Sequence, residues 1–163
     1  MTPNNDLTRP RIGVSACLMG RPVRPDGKDK HVVWITQTLS TLATLVAICP
    51  EIEMGLGVPR ERIDFGLRDG RQRLVGLSSG RDLTDIAEAT SQRLLNEQAV
   101  ALDGYIFKRK SASCGLEKGG LFARAFTARY PEVPVIEEDK LADADARDAF
   151  LAQARYRFAI RTR

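Results

Sequence analysis

Cysteine and histidine are scarce in this chain of 163 residues, and their spacing excludes several kinds of site. The chain has three cysteines, at positions 17, 49 and 114, and one histidine. No two cysteines form a CxxC motif, which disfavours zinc fingers, zinc ribbons and thioredoxin-like chemistry. The odd number and wide spacing also disfavour a disulfide framework, so we expect three reduced thiols.

Long apolar runs are absent as well. No stretch approaches the roughly 18 consecutive apolar residues of a membrane-spanning helix, and the first ten residues lack the apolar core of a signal peptide. The sequence therefore predicts a cytoplasmic protein that does not contact a membrane. We expect residues 1–10 to form a flexible lead and residues 11–163 to form one domain, because a chain of this length can bury a sizeable core.

Motifs that bind nucleotide phosphates are also missing. Neither GxGxxG nor GxxxxGK(S/T) follows the first predicted strand, so a dinucleotide or P-loop site is not supported. Lysine is uncommon, and arginine supplies most of the 25 cationic side chains, for a net charge of +4. That charge permits an anionic partner such as RNA but does not require one.

What the chain does contain is a regular alternation of strand and helix patterns. Short apolar runs predict strands at 11–16, 44–48, 104–107 and 133–136, with a strand of uncertain type at 73–77. Helical spacing of apolar residues predicts helices at 30–43, 84–98, 120–130 and 143–157, and residues 49–60 are predicted as a loop. This alternation predicts an α/β fold with a parallel, Rossmann-like sheet and helices on both faces.

All three cysteines follow predicted strands. Cys17 and Cys49 come directly after the first two, and Cys114 follows the polar loop after the strand at 104–107. Because parallel strands end at the same edge of a sheet, we expect the thiols to meet where open α/β sheets bind ligands. Free cysteines are often simply buried, but these three adjoin turns rich in glycine, proline or serine.

Three converging thiolates suit a metal. Zinc would accept them with a fourth ligand, and His31 is a candidate, although a lone histidine is more often a satisfied surface residue. An iron–sulfur cube normally takes four thiolates. With three, one iron stays open as a Lewis acid. A non-catalytic metal-binding or iron–sulfur module and an inert α/β adaptor remain the alternatives.

Polar residues accompany the thiols in the sequence. Glu51 follows Cys49 by two residues, Asp26 lies in the loop after Cys17, and Ser111 and Ser113 precede Cys114. A carboxylate beside a metal-held substrate can activate water, and a hydroxyl can orient that water. The structural alternatives are a salt bridge from the carboxylate to a nearby arginine, at position 60 or 62, and a turn shaped by the two serines.

Three motifs in fixed order resemble those of the bacterial thiouracil desulfidase family. They are VSACLMGRPVRPDG at 14–27, ICPE at 48–51 with GLGVPR at 55–60, and KRKSASCG at 108–115. The resemblance implies a [4Fe–4S] cluster on Cys17, Cys49 and Cys114, whose open iron takes the substrate sulfur while water replaces it at carbon without net electron transfer. It also implies catalytic roles for Glu51 and Ser111. Three further polar residues of the motifs are candidate substrate contacts: Ser15, Asp26 and Ser113.

The chain departs from the family pattern at two positions, with Pro25 in place of the usual tyrosine and Ala112 in place of the usual proline. Residues 119–123 and 134–156 resemble the subgroup that acts on thiolated uridine in transfer RNA. Free thiouracil and thiolated transfer RNA are therefore both candidate substrates. For RNA we expect a groove lined by basic residues near the motifs and the C-terminus: Arg21, Arg24, Lys108, Arg109, Lys110, Arg155, Arg157, Arg161 and Arg163.

Overall fold

The computed structural model describes residues 7–163. The first six residues of the predicted lead at 1–10 lie outside the described residues. At the end of that lead Pro10 is buried, and its carbonyl accepts the backbone N–H of Thr44 at 2.9 Å. The first strand is therefore anchored by a backbone hydrogen bond just before it begins.

The described residues form six strands and five α-helices. The strands are β1 Arg11–Ser15, β2 Thr44–Ile48, β3 Ile63–Arg68, β4 Arg71–Gly76, β5 Gly104–Phe107 and β6 Val135–Glu137. The helices are α1 Ser40–Leu42, α2 Pro50–Glu53, α3 Thr84–Glu97, α4 Leu121–Arg129 and α5 Ala144–Arg161. A π-helical segment, Ile35–Leu39, precedes α1, and 3₁₀ segments cover Ala16–Met19 and Glu138–Ala142.

The predicted parallel sheet is confirmed. Its strand order is β2-β1-β5-β6, and every neighbouring pair is parallel. The chain leaves β1 for β2 on one side and later crosses to β5 on the other. The carboxyl ends of β1 and β5 thus form the switch point at which ligands bind in open α/β sheets.

Helices cover both faces of the sheet, also as predicted. On one face, Ile12, Val14 and Ile106 pack against the π-helical segment and α5. On the other, Tyr105 and Phe107 pack against α3 and α4, and their rings are stacked with centroids 4.0 Å apart. Gly13 permits this arrangement, because a Cβ at that position would overlap the Tyr105 ring.

Several predicted boundaries are wrong for local reasons. The strand at 11–16 ends at Ser15, because the next four residues turn into the 3₁₀ segment that Gly20 closes at φ 86°. The helix at 30–43 starts late, because the N–H groups of Lys30 and Val32 donate across the chain to the carbonyls of Cys17 and Leu18. The predicted loop 49–60 contains α2, which begins at Pro50, because proline is favoured at the first position of a helix.

The antiparallel hairpin of β3 and β4 is the largest feature that the sequence analysis missed. Only its second strand was anticipated, as the uncertain strand at 73–77. Its tight turn places Asp69 at φ 53° and Gly70 at φ 74°, the geometry that Asp-Gly favours in two-residue hairpins. Leu74 of the hairpin packs with Ala112 of the loop before Cys114, so the hairpin lies beside the carboxyl edge of the sheet.

Within residues 7–163, no helix is both long and apolar enough to span a bilayer.

Candidate active site

A cavity of about 320 Å³ lies at the carboxyl edge of the parallel sheet, and all three cysteines line it. Ser15 ends β1 there, Cys49 and Glu51 follow β2, and the loop from Lys108 follows β5. The opposite wall comes from the hairpin, through Ile63 and its neighbours. The sheet thus brings together the strand ends that carry the sequence motifs.

The three thiols interact electrostatically with one another. Burial raises the pKa of the Cys17 thiol to about 11, with Lys108 opposing the rise and Cys49 adding to it. Burial also raises the pKa of Cys49. It raises the pKa of Cys114 well above the usual value, and the neighbouring thiols of Cys49 and Cys17 raise that pKa further. All three cysteines are free. Their convergence on one cavity is the arrangement expected from their positions after parallel strands.

Three thiols that line one cavity are a donor set that an iron–sulfur cube can use. Along the described part of the chain, no three or more His, Cys, Asp or Glu side chains are grouped to hold one ion. In an iron–sulfur cube each thiolate binds a different iron, so its ligands surround a larger body. His31 does not line the cavity, and its Nε2 lies 2.6 Å from Thr36 Oγ1. The zinc interpretation with His31 as fourth ligand is therefore not supported.

Glu51 is held in the cavity wall from both sides. It sits in the first turn of α2, and its Oε1 lies 3.0 Å from Arg60 Nε. Its Oε2 accepts the Ser113 hydroxyl at 3.2 Å. The side chains of Glu51 and Arg60 are 13% and 5% exposed, so this ion pair is largely shielded from solvent. The salt bridge considered as the structural alternative is present, and Glu51 still faces the cavity.

The predicted serines take different positions. Ser111 lines the cavity, and its Oγ accepts the backbone N–H groups of Ser113 and Cys114 at 3.1 and 3.0 Å. Ser113 is buried behind Glu51 and does not line the cavity. Ser15 lines the cavity and accepts the Lys108 N–H at 3.0 Å. Ser111 therefore shapes the turn before Cys114, and its hydroxyl hydrogen is free to donate.

Asp26, like Ser113, is a predicted site residue that does not line the cavity. Its Oδ1 accepts the N–H of Lys28 at 3.0 Å, which lowers the pKa of the Asp26 carboxyl, and Arg24 lies 3.9 Å away. An aspartate side chain that accepts a hydrogen bond from the backbone N–H two residues later in the chain forms a local turn. Its neighbours Arg24 and Pro25 line the cavity instead.

An ion pair in the cavity wall was not anticipated. Asp64 on β3 and Lys118, in the loop after Cys114, both line the cavity, with Lys118 Nζ 2.8 Å from Asp64 Oδ1. Lys118 lowers the pKa of Asp64 against the opposing effect of burial. Because this wall belongs to the hairpin, only recognition of the Asp69-Gly70 turn signal in the sequence would have pointed to it.

The basic residues expected to line one groove do not all meet at the cavity. Arg24, Lys108, Arg109 and Lys110 line the cavity. Arg161 instead forms a paired contact with Asp103 at 2.8 and 2.9 Å. Asp103 also accepts the N–H of the first residue of β1, so Arg161 lies at the amino edge of the sheet.

The order of the motifs and the placement of the cysteines correspond to a known protein family. Residues 12–138 match the family model described as 2-thiouracil desulfurase. The chain belongs to this family. Among solved structures, the desulfurase-family chain is similar to a protein described as the [4Fe-4S]-dependent thiouracil desulfidase TudS. The two structures superpose with a TM-score of 0.65, and their sequences are 29% identical. The match covers 82% of this chain and 94% of that one. No curated protein matches the chain.

These findings confirm the predicted family and the predicted α/β fold. They also bear out the main function predicted from the sequence, iron–sulfur-dependent desulfuration of a thiouracil, in preference to a non-catalytic module or an inert adaptor.

Proposed function

We propose that this chain replaces the sulfur of a thiouracil by oxygen from water and releases sulfide. The observation that carries the proposal is the meeting of three free thiols and the Glu51 carboxylate in one cavity. The reaction is hydrolytic: the C=S bond becomes C=O, water supplies the oxygen, and its two hydrogens leave with sulfur as hydrogen sulfide. No electron is gained or lost overall.

Cys17, Cys49 and Cys114 are the residues that would hold a [4Fe–4S] cluster. They are the three cysteines of the chain, they line one cavity, and they are not grouped around a single ion. When bound by three cysteines, such a cluster supplies one open, Lewis-acidic iron with affinity for sulfur.

We propose Glu51 as the general base. Its carboxylate can accept a proton from the attacking water, since each oxygen keeps acceptor capacity beyond its single bond to Arg60 or Ser113. Arg60 also donates to the Gly57 carbonyl at 3.0 Å, which fixes the guanidinium. The two partners hold the carboxylate in one orientation, as a base must be held to act on a bound water.

Ser111 and Ser15 are the proposed hydroxyl contacts for the substrate or the water. The Ser111 oxygen accepts two backbone N–H groups, which orients it while leaving its O–H to donate into the cavity. Ser15 accepts the Lys108 N–H, and its hydroxyl also bonds the Cys114 side chain, which lowers the pKa of that thiol against the larger effect of burial. Ser113 acts through Glu51, and Asp26 has no proposed role in this cavity.

The unit that enters the cavity is the thiouracil ring, either free or as thiouridine in transfer RNA. The RNA alternative is supported by the cations at the cavity, since Arg24, Lys108, Arg109 and Lys110 lie beside the thiols. The arginine at position 161 does not extend that surface, because it lies at the opposite edge of the sheet. The proposed location is the cytoplasm, where three free thiols stay reduced.

Salt dependence separates the two substrates. Contacts to about four phosphates would lower RNA affinity by about 50- to 150-fold for a fourfold rise in salt, because bound counterions are released. Turnover of free thiouracil, which is nearly uncharged at neutral pH, should change little over the same range. The measurement is sulfide release from thiolated transfer RNA and from free thiouracil, each at two salt concentrations. Turnover of the base with no RNA binding at low salt rules out RNA as the substrate of this chain.

A further inference from the structure

The cavity wall carries an acceptor and a donor side by side, in addition to Glu51. Two carboxylates are found among the described residues that line it, Glu51 and Asp64. Both oxygens of Glu51 are engaged, by Arg60 and by Ser113. Asp64 accepts the Phe65 N–H and the Lys118 ammonium through Oδ1, and no described residue donates to its Oδ2. Asp64 is therefore the cavity carboxylate with one oxygen that accepts no hydrogen bond from a described residue.

Lys118 complements this acceptor. An ammonium group has three donors, and one of them points at Asp64 from 2.8 Å. The Asp64 and Lys118 side chains are 38% and 32% exposed, so both are reachable from the cavity. A carboxylate oxygen next to an ammonium group matches a ligand that offers an N–H next to a carbonyl.

A thiouracil ring offers that edge. In both the 2-thio and the 4-thio isomer, N3–H lies between the thiocarbonyl carbon and the remaining carbonyl. We propose that Asp64 accepts the N3–H and Lys118 donates to the remaining carbonyl, which makes this pair the determinant of substrate recognition. The inference rests on the proposed function and names how its substrate is held.

The geometry has two consequences for specificity. The same pair serves both isomers, because turning the ring over exchanges the carbonyl and thiocarbonyl positions about N3. It also serves a nucleoside, since the glycosidic bond is at N1. A ring methylated at N3 has no hydrogen to donate and is rejected.

Product binding tests the pair without relying on turnover. We expect the wild-type holoprotein to bind uracil about ten- to a hundredfold more tightly than 3-methyluracil, since hydrogen bonds to charged groups are worth that ratio. Asp64→Ala should bind the two rings alike, and Asp64→Asn, which retains a carbonyl acceptor, should recover part of the preference. Titration calorimetry under anaerobic conditions measures the affinities of the wild type and of the two Asp64 variants for each ring.

Kinetics separate recognition from a structural role. Lys118→Met should raise KM for thiouracil about tenfold or more with kcat retained. The control variants are Lys140→Met and Asp85→Asn, at exposed residues that do not line the cavity, and they should leave KM and kcat unchanged. An Asp64→Ala protein that still prefers uracil, or a wild type that binds both rings equally, overturns the inference. If uracil preference depends on Asp64 but no sulfide is released from thiouracil, the recognition pair stands and the proposed reaction fails.

Discussion

Replacement of any one cysteine by alanine is expected to give a protein that contains little iron and releases no sulfide. Three cysteines are present in the chain and all three line the cavity, so no spare thiol can take the place of a lost ligand. Loss of one thiolate leaves two, which is half of the set that a cube normally takes. The measurements are iron content per chain, visible absorbance from the cluster and sulfide release after anaerobic purification.

A matched control separates cluster loss from misfolding. Ser91 lies on α3, is 3% exposed and does not line the cavity. Ser91→Ala therefore removes a heteroatom from a buried position, as the cysteine variants do, and it should keep both iron and activity. The variants Cys17→Ser, Cys49→Ser and Cys114→Ser preserve side-chain size. Full iron content and full turnover in any one of the three alanine variants would remove that residue from the ligand set.

The variant Glu51→Gln is expected to keep its full iron content and to lose about 10²–10⁴-fold in kcat, the usual contribution of a general base. The amide preserves the size of the side chain and its carbonyl can still accept the Ser113 hydroxyl. It cannot take up a proton, and it leaves Arg60 without its anionic partner. Single-turnover sulfide release at saturating thiouracil measures the effect on the chemical step.

Glu53→Gln is the appropriate comparison for this variant. Glu53 belongs to the same short helix, pairs with Arg93 at 3.3 Å and does not line the cavity. We expect its turnover to match that of the wild type. If Glu51→Gln with full iron content also turns over at the wild-type rate, Glu51 serves to anchor Arg60 rather than to activate water.

The meeting of the cysteines at one edge of the sheet could be predicted because strand ends are marked in the sequence. Cys17 and Cys49 follow short apolar runs that stop at turn-forming residues, and parallel strands bring such ends to one edge. The neighbouring positions of β2, β1 and β5 in the sheet confirm that these strands lie side by side. Glu51 could be named for the same reason, since it stands two residues from a strand-end thiol.

Contacts set by tertiary packing could not be predicted. The spacing of Asp26 from Cys17 gave no indication that its carboxylate would turn back to the Lys28 N–H instead of facing the cavity. Asp64 and Lys118 are 54 positions apart and meet only because the hairpin packs beside the sheet edge. The choice between Arg60 and Arg62 as the partner of Glu51 likewise depended on the path of the loop that follows α2.

The most direct test of the central claim is the stoichiometry of the reaction in isotopically labelled water. The iron-loaded chain is incubated anaerobically with 2-thiouracil or 4-thiouracil and without any added reductant or oxidant, and sulfide, uracil and the oxygen isotope in uracil are measured together. Hydrolytic desulfuration predicts one sulfide for each uracil and the labelled oxygen at the carbon that carried sulfur. An iron-loaded chain that releases no sulfide, that requires an electron donor, or that yields uracil without the label contradicts the claim.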